Sequence, residues 1–129
     1  MRWSQAGRSG IMNCLRKSKK YIGLVATGFL DIGESFGPFD LIMLEIGASD
    51  PLWADVHMGP EGAVRSFRAL GGHGLLMPIH WSLFDLALHH WKQPIENVFA
   101  VKALKLWSPE PGTPSDVVQS QEIRSEWWR

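Results

Sequence analysis

Apolar residues in this chain gather into short unbroken runs, and between the runs lies one stretch with helical spacing. Tyr21, Ile22, Leu24, Val25 and Ala26 form the first run, residues 39–46 the second and residues 75–79 the third. Runs of four to eight β-forming residues, bounded by Gly and Pro, read as strands covered on both faces. Between the second and third runs, Ala63, Val64, Phe67 and Leu70 recur at helical spacing. Pro60 suits the first helical position, Glu61 suits the positive end of the helix dipole, and Gly71-Gly72 stops the helix. A second helix starts at Pro94 and Glu96, with Ile95, Val98 and Phe99 along one side. The order strand, strand, helix, strand, helix, without internal repeats, makes the chain α/β.

The intervening segments are read as irregular. Residues 1–18 show no sustained period, and Gly7, Ser9 and Gly10 discourage a helix, so an unpatterned and poorly ordered start is expected. Residues 31–37 read as a loop with at most one helical turn. Residues 47–59 and 82–92 read as loops as well. Past Trp107, the residues Pro109, Pro111, Gly112 and Pro114 break any regular element. Residues 108–129 are therefore expected to form a polar tail, with Trp127 and Trp128 inside it, behind a folded block at residues 19–107.

Composition narrows the function classes. At 129 residues the chain makes at most one domain, and its formal net charge of zero argues against a general nucleic-acid binder. The charge is uneven: Arg2, Arg8, Arg16, Lys17, Lys19 and Lys20 meet no acid until Asp31. That opening faintly resembles a transit peptide, although a disordered basic start is the preferred reading. The single cysteine, Cys14, excludes an internal disulfide and a cysteine-rich zinc knuckle. A reducing, cytoplasmic setting is compatible with this. No apolar run approaches the roughly 20 residues of a membrane span. Trp53, Trp81, Trp91 and Trp107 are expected on or near the core.

Candidate chemistry centres on histidine. His80 ends the apolar run at 75–79, and the carboxyl end of a central strand is where α/β folds place ligands. A satisfied structural role for it stays open. His57 precedes the helix start at Gly59-Pro60, where anions bind well; an equally open alternative is a side-chain hydrogen bond that fixes its loop. His73, between Gly72 and Gly74, reads as a solvated turn residue. Of His89 and His90, one can reach a site while the other faces water. No histidine pair has the spacing of a helical zinc motif. There is no Gly-x-Ser-x-Gly elbow and no phosphate loop. Cys14 has no identifiable base beside it. Asp40 and Glu45 fall on opposite faces of one strand and cannot act as a carboxylate pair.

Several blocks together carry a family resemblance. They are Phe36-Gly37-Pro38-Phe39-Asp40-Leu41, Glu45-Ile46-Gly47-Ala48, Trp53, and His57-Met58-x-Pro60-Glu61-x-Ala63-Val64. Met77-Pro78-Ile79-His80-Trp81 and Phe84-Asp85-Leu86-Ala87-Leu88-His89-x-Trp91-x-x-Pro94-Ile95-Glu96 continue the series. In order and spacing this resembles the metallo-β-lactamase superfamily, in the branch of N-acyl-phosphatidylethanolamine-hydrolysing phospholipase D and the ascorbate-phosphate lactonases. The likeness covers about residues 19–107, and Trp127-Trp128 resembles the tail of bacterial relatives. It implies the carboxyl-terminal half of a four-layer αββα sandwich with two zinc ions held between its halves.

The resemblance further implies that His80 is a metal ligand, that His57 lines the site on the substrate side, and that His89 sits on a loop at the site's mouth. Two departures stand out. The family's His-x-His-x-Asp-His block has no counterpart in these 129 residues. Ala26 occupies the position of the metal-bridging aspartate in the run Val25-Ala26-Thr27-Gly28-Phe29, with Asp31 as the nearest acid. By ligand count, zinc is expected to bind weakly or not at all. The leading expectation is a fragment or degenerate member of a phosphodiester- or lactone-cleaving zinc hydrolase, inactive alone. Two alternatives stay open: a half that completes its site with a complementary chain or a second copy, and a non-catalytic binding module. A homo-oligomer is compatible with either, no nucleic-acid partner is expected, and membrane contact has only the tryptophans to suggest it.

Overall fold

A computed structural model of the chain describes residues 2–5, 12–16, 19–24, 29–53, 56–117 and 122–129, with side chains for 29–52, 56–117 and 122–129. Its centre is a five-stranded sheet in the order β1 (Arg2–Gln5), β2 (Met12–Arg16), β3 (Lys19–Leu24), β4 (Leu41–Glu45), β5 (Leu75–Ile79). The first two pairings are antiparallel, whereas β3–β4 and β4–β5 are parallel. Each parallel pair is joined by a helical crossover, α1 (Phe29–Phe36) and α2 (Gly59–Ala69) respectively. This is the connection that parallel strands require. A third helix, α3 (Gln93–Ala100), follows the His80 loop. The chain is thus α/β, as its apolar pattern predicts.

Strand alternation sorts the core into two layers. Ile42, Leu44, Ile46 and Leu76 pack with Ala63, Val64, Phe67 and Leu70 of the α2 segment and with Ile95 and Val98 of α3. Leu41 and Leu75, one residue out of phase, pack on the other face against Trp107, with the half-buried Met43, Met77, Val117 and Ile123 around them. Burial on both faces is why β4 and β5 read as continuous apolar runs.

Three expectations are corrected. The opening segment, read as unpatterned, contributes β1 and β2. They are short, β1 is polar in composition, and they join the sheet in succession, β2 on the edge of β3 and β1 on β2. The run at 31–37, read as a loop, is two turns of α1. Its low-propensity glycine is a packing device: a Cβ on Gly33 would lie 2.7 Å from the Ala69 carbonyl oxygen, so only glycine lets α1 approach the end of α2. The third correction concerns the tail. It forms β7 (Ile123–Arg124), paired in parallel with β6 (Trp107–Ser108), and the Leu106 backbone bridges to Leu76 of β5. Trp128 is 3% exposed within the core. The prolines at 109, 111 and 114 do interrupt regular structure, but they lie between β6 and β7 and do not end it.

Charge pins this return strand. Glu122 accepts hydrogen bonds from the Leu106 N–H (3.1 Å) and from Arg124. Arg124 also donates to the Leu104 carbonyl at 2.8 Å. Partial burial pushes the Glu122 carboxyl up, but the hydrogen bonds from Arg124 and Leu106 and the charges of Arg124 and Lys105 outweigh it and hold it below the usual glutamate range. A depressed folded pKa stabilises the fold above the unfolded value, and that contribution is lost as pH falls through the folded value. The protection factor of the Leu106 amide, corrected for the intrinsic slowing of exchange in acid, should therefore fall as pH drops below the ordinary glutamate range and Glu122 is protonated. Undiminished protection of that amide in a protein still folded after Glu122 has been protonated would contradict this pairing.

Candidate metal-binding site

Two strand ends and one helix start converge at the carboxyl edge of the parallel strands. Glu45 is the last residue of β4, His80 follows β5 directly, and His57 stands two residues before α2. One nitrogen or oxygen atom from each of the three lies within 4.8 Å of the others. The His57 and His80 rings stack, with centroids 5.0 Å apart and 28° between planes.

Backbone geometry explains how His80 arrives there. The Ile46 N–H donates to the Ile79 carbonyl at 3.0 Å, which extends the β4–β5 pairing to its last position. Next, Gly47 packs against the His80 carbonyl so closely that a Cβ would sit 2.1 Å from that oxygen. His80 and Ser82 both adopt left-handed backbone, φ 58° and 73°. Non-glycine residues in that region carry strain and concentrate at functional sites. The turn is braced by Trp81, whose indole N–H donates to the Pro78 carbonyl at 3.1 Å and whose ring stacks on Trp127.

Glu45 is only 1% exposed. A buried carboxylate needs partners, and it has two: the Met58 N–H donates to Oε1 at 3.2 Å, and His57 Nδ1 lies 3.0 Å from Oε2. The side-chain hydrogen bond that was one of the two open roles for His57 is therefore present. The His57 ring also meets that of His80.

His89 lies further along the same edge. With His80, Trp81, Phe84, Leu86 and Trp91 it lines an open, mostly apolar cavity of about 340 Å³. Its Nδ1 lies 3.2 Å from the His90 carbonyl, and its Nε2 is buried without a hydrogen-bond partner among the described residues. His90 is exposed, as is His73 in its turn. Ala26 lies outside the described residues, and Asp31 sits exposed on α1. Among the described residues no helix is long and apolar enough to cross a membrane.

Sequence reasoning missed Glu45. It weighed that carboxylate against Asp40, five residues away on the same strand, and the partner is instead His57, twelve residues on. One signal was available: Glu45, like His80, is a polar group closing an otherwise apolar strand.

Comparisons with known proteins place the chain in a family. Residues 17–81 match a family model described as a beta-lactamase superfamily domain, a span that holds Glu45, His57 and His80. Uncharacterised proteins of Mycobacterium tuberculosis and Mycobacterium bovis are 40% identical over 106 residues, 78% of this chain and 28% of theirs. A Caenorhabditis elegans protein, N-acyl-phosphatidylethanolamine-hydrolyzing phospholipase D 1, is 36% identical over 67 residues, 46% of this chain and 18% of its own. The chain thus spans little more than a quarter of the mycobacterial relatives it matches.

Proposed function

Because this chain belongs to the β-lactamase superfamily, we propose that its Glu45–His57–His80 cluster is part of the metal-holding site of a hydrolase that cleaves phosphodiesters or lactones. The observation that carries this reading is the convergence of three donor atoms, from three separate segments, within 4.8 Å. Imidazole nitrogen and carboxylate oxygen are donor types that zinc takes. In this reading His80 holds the metal, His57 stands beside it on the substrate side, and His89 belongs to the mouth formed by the apolar cavity. When bound, the metal supplies Lewis-acid polarisation of the phosphoryl or carbonyl group and lowers the pKa of the attacking water. The protein's part is to hold the donors in place, exclude bulk water through Trp81 and Phe84, and seat the substrate's apolar portion.

We read the sheet, with α1, α2 and α3 on one face and the β6–β7 segment on the other, as one half of an αββα sandwich. The family's bridging aspartate position is Ala26, and no His-x-His-x-Asp-His block occurs in the sequence. Hydrolysis accordingly requires ligands beyond those in these 129 residues, which by themselves are inactive in this reading; a complementary chain or a second copy is one source of them. The apolar lining of the cavity favours a partner of some kind: Leu83 is 78% exposed, with Phe84 and Leu86 also exposed beside it, and Leu88 follows in the same loop. Exposed apolar clusters of this kind mark interaction surfaces.

Metal content tests the reading. Purified chain equilibrated with zinc should retain it, and His80→Ala should bind at least about tenfold more weakly. Equal zinc in both proteins, or none in either, would remove His80 from the metal-holding role.

A further inference from the structure

We infer that Glu45 is a positioning residue: its carboxylate fixes the His57 ring with the proton on Nδ1, so that Nε2 carries the free lone pair. The bearing of this on function rests on the proposed metal-holding site, but the hydrogen bonding does not.

The argument starts from a fixed donor. The Met58 backbone N–H points at Glu45 Oε1 at 3.2 Å, and a backbone amide cannot exchange its role. That commits one carboxylate oxygen as an acceptor. The second oxygen lies 3.0 Å from His57 Nδ1, and at a contact between a carboxylate, which offers acceptors, and an imidazole, which carries an N–H, the nitrogen is the donor. Burial makes the arrangement exacting, since at 1% exposure no solvent is present to satisfy a misplaced donor or acceptor. Nδ1 must therefore hold the proton. A histidine oriented by a carboxylate on one nitrogen presents a defined tautomer at the other. His57 then offers Nε2, whether that atom meets a metal or the proton of a water.

The same reasoning says why the residue is glutamate and not its amide. Glutamine has the same shape but one acceptor and one donor end. With its oxygen kept on the Met58 N–H, its NH₂ would face Nδ1, which must then lose its proton to Nε2. The opposite orientation sets NH₂ against the Met58 N–H, donor against donor. Only a group with two acceptors serves both neighbours while leaving Nε2 bare.

Nitrogen-15 NMR of the full chain, labelled at histidine and treated with chelator, tests this in mildly alkaline buffer, where an ordinary imidazole is neutral. His57 is assigned by loss of its signals in His57→Ala. The wild-type ring is expected in the Nδ1–H form, and in Glu45→Gln the Nδ1–H form should be lost in favour of Nε2–H. An Nε2–H ring in the wild type, or the same tautomer in both proteins, overturns the inference. Should Glu45→Gln fail to fold, the wild-type spectrum still decides. Zinc uptake by the wild type is scored separately. Its failure alongside the stated tautomers removes the metal reading and leaves the role of Glu45 standing.

Discussion

Replacing Trp128 with alanine is expected to lower the unfolding free energy by about 3–5 kcal/mol, the range for a buried tryptophan. The ring is 3% exposed and meets Phe99 edge-on at 4.7 Å, Trp81 at 5.4 Å and Trp127 at 5.7 Å. Three rigid aromatic neighbours leave little room for the site to collapse around a deleted indole, and that places the loss toward the upper end. The measurement is urea denaturation followed by far-UV circular dichroism, with unchanged slope confirming that stability alone has moved. Trp127→Ala, at a half-buried position, should cost distinctly less. A loss below about 1 kcal/mol for Trp128→Ala would mean that the carboxyl-terminal segment adds little to the core. The effect should also reach the candidate site, because Trp81 adjoins His80 and packs against both tail tryptophans.

Gly47→Ala carries the largest expected effect on the site itself. The new carbon would lie 2.1 Å from the His80 carbonyl oxygen, and both partners are backbone, so no side-chain rotation relieves the clash. The ends of β4 and β5 must separate, stretching the Ile46–Ile79 hydrogen bond and carrying His80 away from Glu45 and His57. Overpacking of this kind costs about 1–3 kcal/mol, occasionally more. Metal affinity should fall as well, because disturbing the groups that orient a ligand typically costs about ten- to a hundredfold. Zinc titration of Gly47→Ala is therefore expected to show affinity reduced about ten- to a hundredfold in a protein that still melts cooperatively. Wild-type affinity in a folded Gly47→Ala protein would show that His80 does not need this contact to reach the cluster.

What the sequence could and could not convey follows from the range of the interactions involved. Strands β4 and β5 are readable because both of their faces are buried and each appears as one apolar run. Helix α2 is readable because Pro60, Glu61 and Gly71-Gly72 are local signals. Helix α1 is not, since Gly33 scores against a helix, and its compensating merit is a contact with Ala69 and Leu70 that no local pattern encodes. The same holds for β1, β2 and β7, which are too short to be recognised before the edge that pairs with them is known. At the site, His80 announces itself by position, and His57 by its place before a helix. Glu45 does not, because its meaning lies in a hydrogen bond across twelve residues and through a loop.

The bracing of the His80 turn by tryptophan has an optical corollary. Trp81 and Trp127 lie 5.2 Å apart at 30°, in fixed and chiral relation, with Trp128 edge-on to both. Indole transitions held so close couple with one another, and their combined ellipticity depends on mutual angle more than on solvent exposure. The chain therefore carries a built-in chromophore one residue from His80. Any ligand, metal or partner that reshapes the turn at His80 should register there without an added label.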